Sequence, residues 1–106
     1  MKRPPPVLDN AEVLEFAVID SSVRFTGALH LYHGDARVGA VPCLAICRDP
    51  GVDGLLLFHC DENWSVVAAQ IWNNPDRPTT ATVDEVKEKA EKYYSGISSM
   101  WQRYDA

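Results

Sequence analysis

The chain has 106 residues, 46% of them hydrophobic and 24% charged, the make-up of one folded domain rather than a disordered or fibrous chain. Ten Lys and Arg against fifteen Asp and Glu leave a net charge of −5. Nucleic acids and anionic membranes select cationic surfaces, so this balance argues against both as partners.

Met1-Lys2-Arg3 is followed by Pro4-Pro5-Pro6, where a secretory leader would need an apolar run of about 7–15 residues. Residues 1–6 read as an extended proline arm outside the core. No run approaches the roughly 18 consecutive apolar residues of a membrane helix. Three cysteines without compact spacing do not make a secreted disulfide framework. A cytoplasmic protein is expected, and the Asn63-Trp64-Ser65 glycosylation pattern is then a chance match.

Residues 12–72 read as an antiparallel sheet. The runs 12–19, 23–33, 36–48, 54–60 and 64–72 are rich in β-branched and aromatic residues with period-2 patterning. Short polar breakers separate them: Asp20-Ser21-Ser22, Gly34-Asp35, Asp49-Pro50-Gly51-Val52-Asp53 and Asp61-Glu62-Asn63. Gly34 suits a two-residue hairpin turn that needs a positive φ. Connections this short cannot make parallel crossovers, so a meander of about five strands follows.

The turns imply a register. Pairing His33 with Ala36 sets His30 against Gly39 and Thr26 against Cys43. Pairing Arg48 with Leu55 sets Cys43 against Cys60 and Cys47 against Leu56, and pairing Asp61 with Trp64 sets Phe58 against Val67. Alternation then sorts the side chains into two faces. Val23, Phe25, Leu29, Leu31, Val38, Leu44, Ile46, Leu55, Leu57, Val66 and Trp72 form a core face, joined by Leu14, Phe16 and Val18. The other face is mixed: Arg24, Thr26, His30, Tyr32, Arg37, Val41, Cys43, Cys47, Leu56, Phe58, Cys60, Val67 and Ile71, with Glu15 at its edge. Pro42 cannot donate to a ladder, and a bulge near Gly39 would invert the faces beyond it.

Past the proline-rich loop at 73–78 the period changes to 3.6. Thr82 with Glu85 fits a capping box, and Val83, Val86, Ala90, Tyr93, Ile97, Met100 and Tyr104 form one apolar stripe. A C-terminal helix over 82–104 is expected, interrupted at Ser95-Gly96 and packed on the core face of the sheet. The fold class is α+β, an antiparallel meander on one C-terminal helix, in a single domain spanning 1–106. A meander closed by a helix bearing Trp101 resembles the pleckstrin-homology architecture at the level of fold. That domain has more strands, and its basic phosphoinositide loop has no counterpart here, so no function is carried over.

Catalytic and cofactor motifs are absent: no phosphate-binding glycine loop, no nucleophile elbow, no zinc-protease helix. His30 and His33, three apart on a strand, point to opposite faces and cannot share a metal. The cysteines read first as small buried hydrophobes, since structural zinc favours C-x₂₋₄-C knuckles. Turn acids such as Asp49, Asp53, Asp61 and Glu62 are expected for their local hydrogen bonds. No catalytic residue, metal or cofactor is therefore assigned.

What the sequence does single out is the second sheet face. Val41, Phe58, Val67 and Ile71 beside Tyr32, Arg24 and Arg37 make a patch too apolar for a wetted surface, with the aromatic and arginine content of an interface. The expected function is non-enzymatic: protein binding, as a homodimer or with another protein, through Arg24, His30, Tyr32, Arg37, Cys43, Phe58 and Cys60. The rival is a small-molecule or metal site on that face, built from His30, Arg24, Cys43 and Cys60. A strongly curled sheet would instead bury the patch itself.

Overall fold

The computed structural model describes residues 3–28, 31–51, 54–72 and 82–104, the side chains of His33 and Trp72 excepted. In chain order the elements are β1 (Val7–Leu8), β2 (Ala11–Val18), β3 (Arg24–Phe25), β4 (Tyr32–His33), β5 (Ala36–Arg37), β6 (Cys43–Arg48), β7 (Leu55–Cys60) and β8 (Val66–Trp72). There follow α1 (Val83–Tyr93), β9 (Tyr94–Ser95), a 3₁₀ turn at Ile97–Ser99 and β10 (Trp101–Arg103). The fold is α+β, with one six-stranded antiparallel sheet in the spatial order β1-β2-β6-β7-β8 and β10 beside β2.

The β6–β7 hairpin has the expected register, with Cys43 opposite Cys60 and Cys47 opposite Leu56. The β4–β5 turn also pairs His33 with Ala36, and Gly34 takes φ 63 in it. Beyond that turn the structure departs from the expected meander. The second run does not pair along β6; β2 does, with Val18 opposite Cys43 and Ala17 opposite Leu44. Pro42 explains the change. Without an N–H it cannot continue a ladder from β5, and its carbonyl instead accepts from Ile19 N at 2.8 Å. Residues 20–41 thus form an excursion between two neighbouring strands.

That excursion carries the β4–β5 ribbon and the strand β3, which pairs with β9 beyond the helix. The outer edge of β2 is shared by both ends of the chain. Val7 and Leu8 pair with Glu12 and Ala11, while Trp101, Gln102 and Arg103 pair with Ala17, Phe16 and Glu15.

Helix α1 starts as its sequence specifies, with Thr82 Oγ1 accepting from Glu85 N at 3.2 Å. It ends at Tyr93, well before residue 104. Gly96 takes φ 96, a left-handed conformation that a helix interior cannot contain. The Glu91 carboxylate reaches past the helix end and accepts from Gly96 N (2.7 Å), Ser98 N (3.1 Å) and Ser98 Oγ (2.6 Å). The chain then turns back as β10, so Trp101 lies on a strand rather than on the helix.

Both faces of the sheet are covered, save for the β8 margin of the second, where Ala69 and Ile71 are exposed. On the helix side, Leu44, Ile46, Leu55, Leu57, Val38 and Val41 pack with Val86, Ala90, Tyr94 and Ile97. On the other side, Cys43, Ala45, Cys47, Leu56, Phe58 and Cys60 pack with Leu8, Val13, Phe16 and Trp64. The sheet curls so that β1 and the hairpin loop carrying Trp64 close over this second face. Residues 3–6 do not stand off as an arm: Pro4 is fully buried, and the Arg3 guanidinium lies 4.2 Å from the Tyr104 ring centroid.

Two bulges reassign side chains between the faces. One lies in β2 between Val13 and Glu15. It sends Phe16 and Val18 to the second face while Leu14 stays on the helix side. Glu15, expected at the edge of the mixed face, is turned toward the helix, where it meets Lys87 Nζ at 2.6 Å. The loop before β8 closes one residue later than expected, with Asp61 N donating to Ser65 O, and the other bulge, between His59 and Cys60, adds one more, so Phe58 faces Ala69 instead of Val67. Val66 then joins the second face and Val67 the helix side.

Candidate interaction surface

The seven residues singled out from sequence fall in separate places. Cys43, Phe58 and Cys60 are together but sealed inside the second core, with exposures of 0%, 4% and 0%. The cover over them is aromatic. Phe16 meets Trp64 edge-on at 5.9 Å between centroids and Tyr104 at 6.1 Å. Tyr32 and Arg37 also come together, directly opposite each other on the β4–β5 ribbon, both exposed. The Arg37 guanidinium donates to Gly27 O at 2.9 Å, which ties the ribbon to the chain entering it. Arg24 is exposed on the other ribbon, opposite Ser95. His30 lies outside the described residues.

Burial sets the chemistry of the cysteines. It pushes the Cys43 thiol up to about 11, with Asp61 and Glu62 adding negative potential. Cys47 rises to about 12 through burial and the neighbouring Cys60. Cys60 rises to about 12 through burial, then Cys43, Asp61 and Asp9. Burial keeps all three protonated at neutral pH, a poor state for a nucleophile or a metal ligand. Among the described residues no three His, Cys, Asp or Glu side chains converge where they could hold a metal ion.

A polar constellation that sequence reasoning missed lies on the helix side. His59 is 0% exposed, and its Nε2 is 3.0 Å from Gln70 Oε1. Gln70 Nε2 in turn donates to Tyr93 Oη at 3.3 Å. Parity was the available signal, because Leu55, Leu57 and His59 alternate onto one face of β7.

What remains uncovered of the mixed face is its β8 margin. Ile71, opposite Leu56, is 56% exposed, and Ala69, opposite Phe58, is exposed as well. β4 lies alongside β8, and its Tyr32 is 63% exposed. No family model matches the chain, and no similar curated protein or solved structure was found. Among the described residues no helix is long and apolar enough to cross a membrane.

Proposed function

We propose that the protein is a small non-enzymatic cytoplasmic domain that self-associates through the β8 margin of its second sheet face. The observation that carries this reading is Ile71, a large aliphatic side chain 56% exposed at the open border of a buried apolar face. Strand β8 reads VVAAQIW, seven residues without a charge or a proline. Outer strands usually carry such residues as guards against association. The occupant that suits this margin is a second copy. Two chains of net charge −5 repel, but apposing uncharged β8 margins about a two-fold axis brings no like charges into contact. Tyr32 on the neighbouring ribbon adds the aromatic character that interfaces favour.

Sedimentation equilibrium over a range of concentrations tests the reading. A dimer is expected for the native chain, and Ile71→Lys, at an exposed site, should return a folded monomer. A native chain that stays strictly monomeric at high concentration overturns the proposal.

A further inference from the structure

The chain from His59 to Tyr93 joins the sheet to the end of the helix. Because Gln70 spends its amide N–H on Tyr93 Oη, its Oε1 is what faces His59, and His59 Nε2 must carry the proton. The other ring nitrogen, Nδ1, is then a bare acceptor, buried and without a hydrogen-bond partner among the described residues. A second proton would have to go there.

The surroundings offer that proton nothing. The cross-strand neighbours of His59 are Leu44 on β6 and Ala68 on β8, and α1 packs over this side through Val86 and Ala90. The titratable groups on the same elements are engaged or point away. Glu15 and Lys87 pair with each other, Glu91 caps the turn after α1, and Tyr94 Oη accepts from Val41 N at 3.0 Å. Asp84, Glu88, Lys89, Lys92 and Arg48 are exposed, and Glu85 sits in the first turn of α1. No charged group contributes to the balance at His59, where burial lowers the affinity for a proton and the Gln70 bond opposes it weakly.

The end of α1 is also where the 20–41 excursion is fastened. Thr26 N donates to Tyr93 O at 2.9 Å and Thr26 Oγ1 to Lys92 O at 2.6 Å. Val41 is held by Tyr94 Oη, and the Phe25 ring lies 5.1 Å from that of Tyr94.

We propose that His59 is a proton-operated latch: neutral, it ties β7 through Gln70 to Tyr93, and a second proton, on Nδ1 where no acceptor meets it, is housed only when the end of α1 and the excursion fastened there open to water. The sign follows from burial. A histidine whose folded affinity for protons is lowered keeps its full contribution above the ordinary value of about 6.5 and loses it as the pH falls below. The opening that gives His59 water at least cost is the local one, because β7 itself and β6 beside it are buried on both faces. The latch does not depend on self-association, and its test reads the excursion alone.

Amide hydrogen-exchange protection factors of Thr26 and Val41, followed from pH 7.5 to 5.5, report the latch. They should fall as the pH drops, approaching the one-proton limit of about tenfold per pH unit, while Ile46 and Leu57 stay protected. His59→Gln, which keeps a side-chain amide and cannot titrate, should flatten the profile. Tyr93→Phe, which cuts only the far hydroxyl, should lower protection at Thr26 and Val41 already at pH 7.5. Protection that holds constant down to pH 5.5 overturns the latch. So does an identical fall in His59→Gln, which would assign the response to another histidine.

Discussion

Cys43 and Cys60 stand directly opposite each other on β6 and β7, and both are fully buried. With thiols raised to about 11 and about 12, the thiolate fraction at pH 8 is on the order of one in a thousand or less. An aromatic disulfide reagent should therefore leave the folded protein unlabelled on the time scale on which free cysteine reacts. Unfolding in guanidinium should release three equivalents, one per cysteine. The same burial predicts that zinc or a chelator leaves the thermal midpoint unchanged. Rapid labelling of the native chain, or a zinc-dependent rise in the midpoint, would show that the second core is open.

Trp64 is the side chain that closes that core. It sits at φ 63, an uncommon conformation for a residue of its size, inside a loop organised by Asp61. The Asp61 carboxylate accepts from Asn63 N at 2.9 Å and Ser65 N at 3.0 Å, and Asp61 O accepts from Trp64 N at 3.0 Å. Trp64→Ala should cost about 3–5 kcal/mol, the usual loss for emptying a buried aromatic site. Asp61→Ala should cost about 1–2 kcal/mol, because it leaves the loop amides without their acceptor. Urea denaturation gives both numbers. A Trp64→Ala loss below about 1 kcal/mol would mean that the curl does not depend on this lid.

These two residues also show how far the sequence could be read. The Cys43–Cys60 pairing was legible because a short hairpin fixes its register and the alternation of Leu44, Ile46, Leu55 and Leu57 is unbroken. The α+β class and the helix start at Thr82 were legible for similarly local reasons. Side-chain parity was lost at the two bulges, and a bulge leaves no mark in a run of apolar residues. That is why Phe16 and Val18 change face, whereas Val66 changes face because the loop before β8 closes one residue later, on Ser65. Strand order was lost at Pro42, where the partner of β6 depends on β2, which is distant in sequence. The C-terminal stripe misled for a different reason. Ile97 and Met100 do pack on the helix side, but from a 3₁₀ turn, and Tyr104 has crossed to the other core.

The ion pair of Glu15 and Lys87 is a consequence of the β2 bulge and fixes α1 against β2. Its side chains are 14% and 28% exposed, so solvent screens part of the attraction. A double-mutant cycle with Glu15→Gln and Lys87→Met should give a coupling of about 0.5–1 kcal/mol that shrinks in 1 M salt. Coupling indistinguishable from zero at low salt would assign helix placement to the apolar cluster alone.

The turn after α1 depends on a single carboxylate. Glu91 accepts from Ser98 Oγ and from the amides of Gly96 and Ser98, and these bonds hold its acid below the ordinary carboxylate range. A carboxyl group lowered in the folded state contributes stability above its unfolded value of about 4.5 and loses it as the pH falls through the folded value. Glu91→Gln keeps the shape but replaces a charged acceptor with a neutral one. Its melting temperature should lie below that of the native chain at pH 7, and the gap should close as the pH falls toward 3. Other acids titrate in both proteins, so the difference between the two curves is the quantity to read. The closing gap should be matched by faster amide exchange at Gln102 and Arg103, since β10 follows directly on this turn. A gap that persists unchanged at pH 3 would mean that side-chain shape, not charge, keeps β10 on the edge of β2.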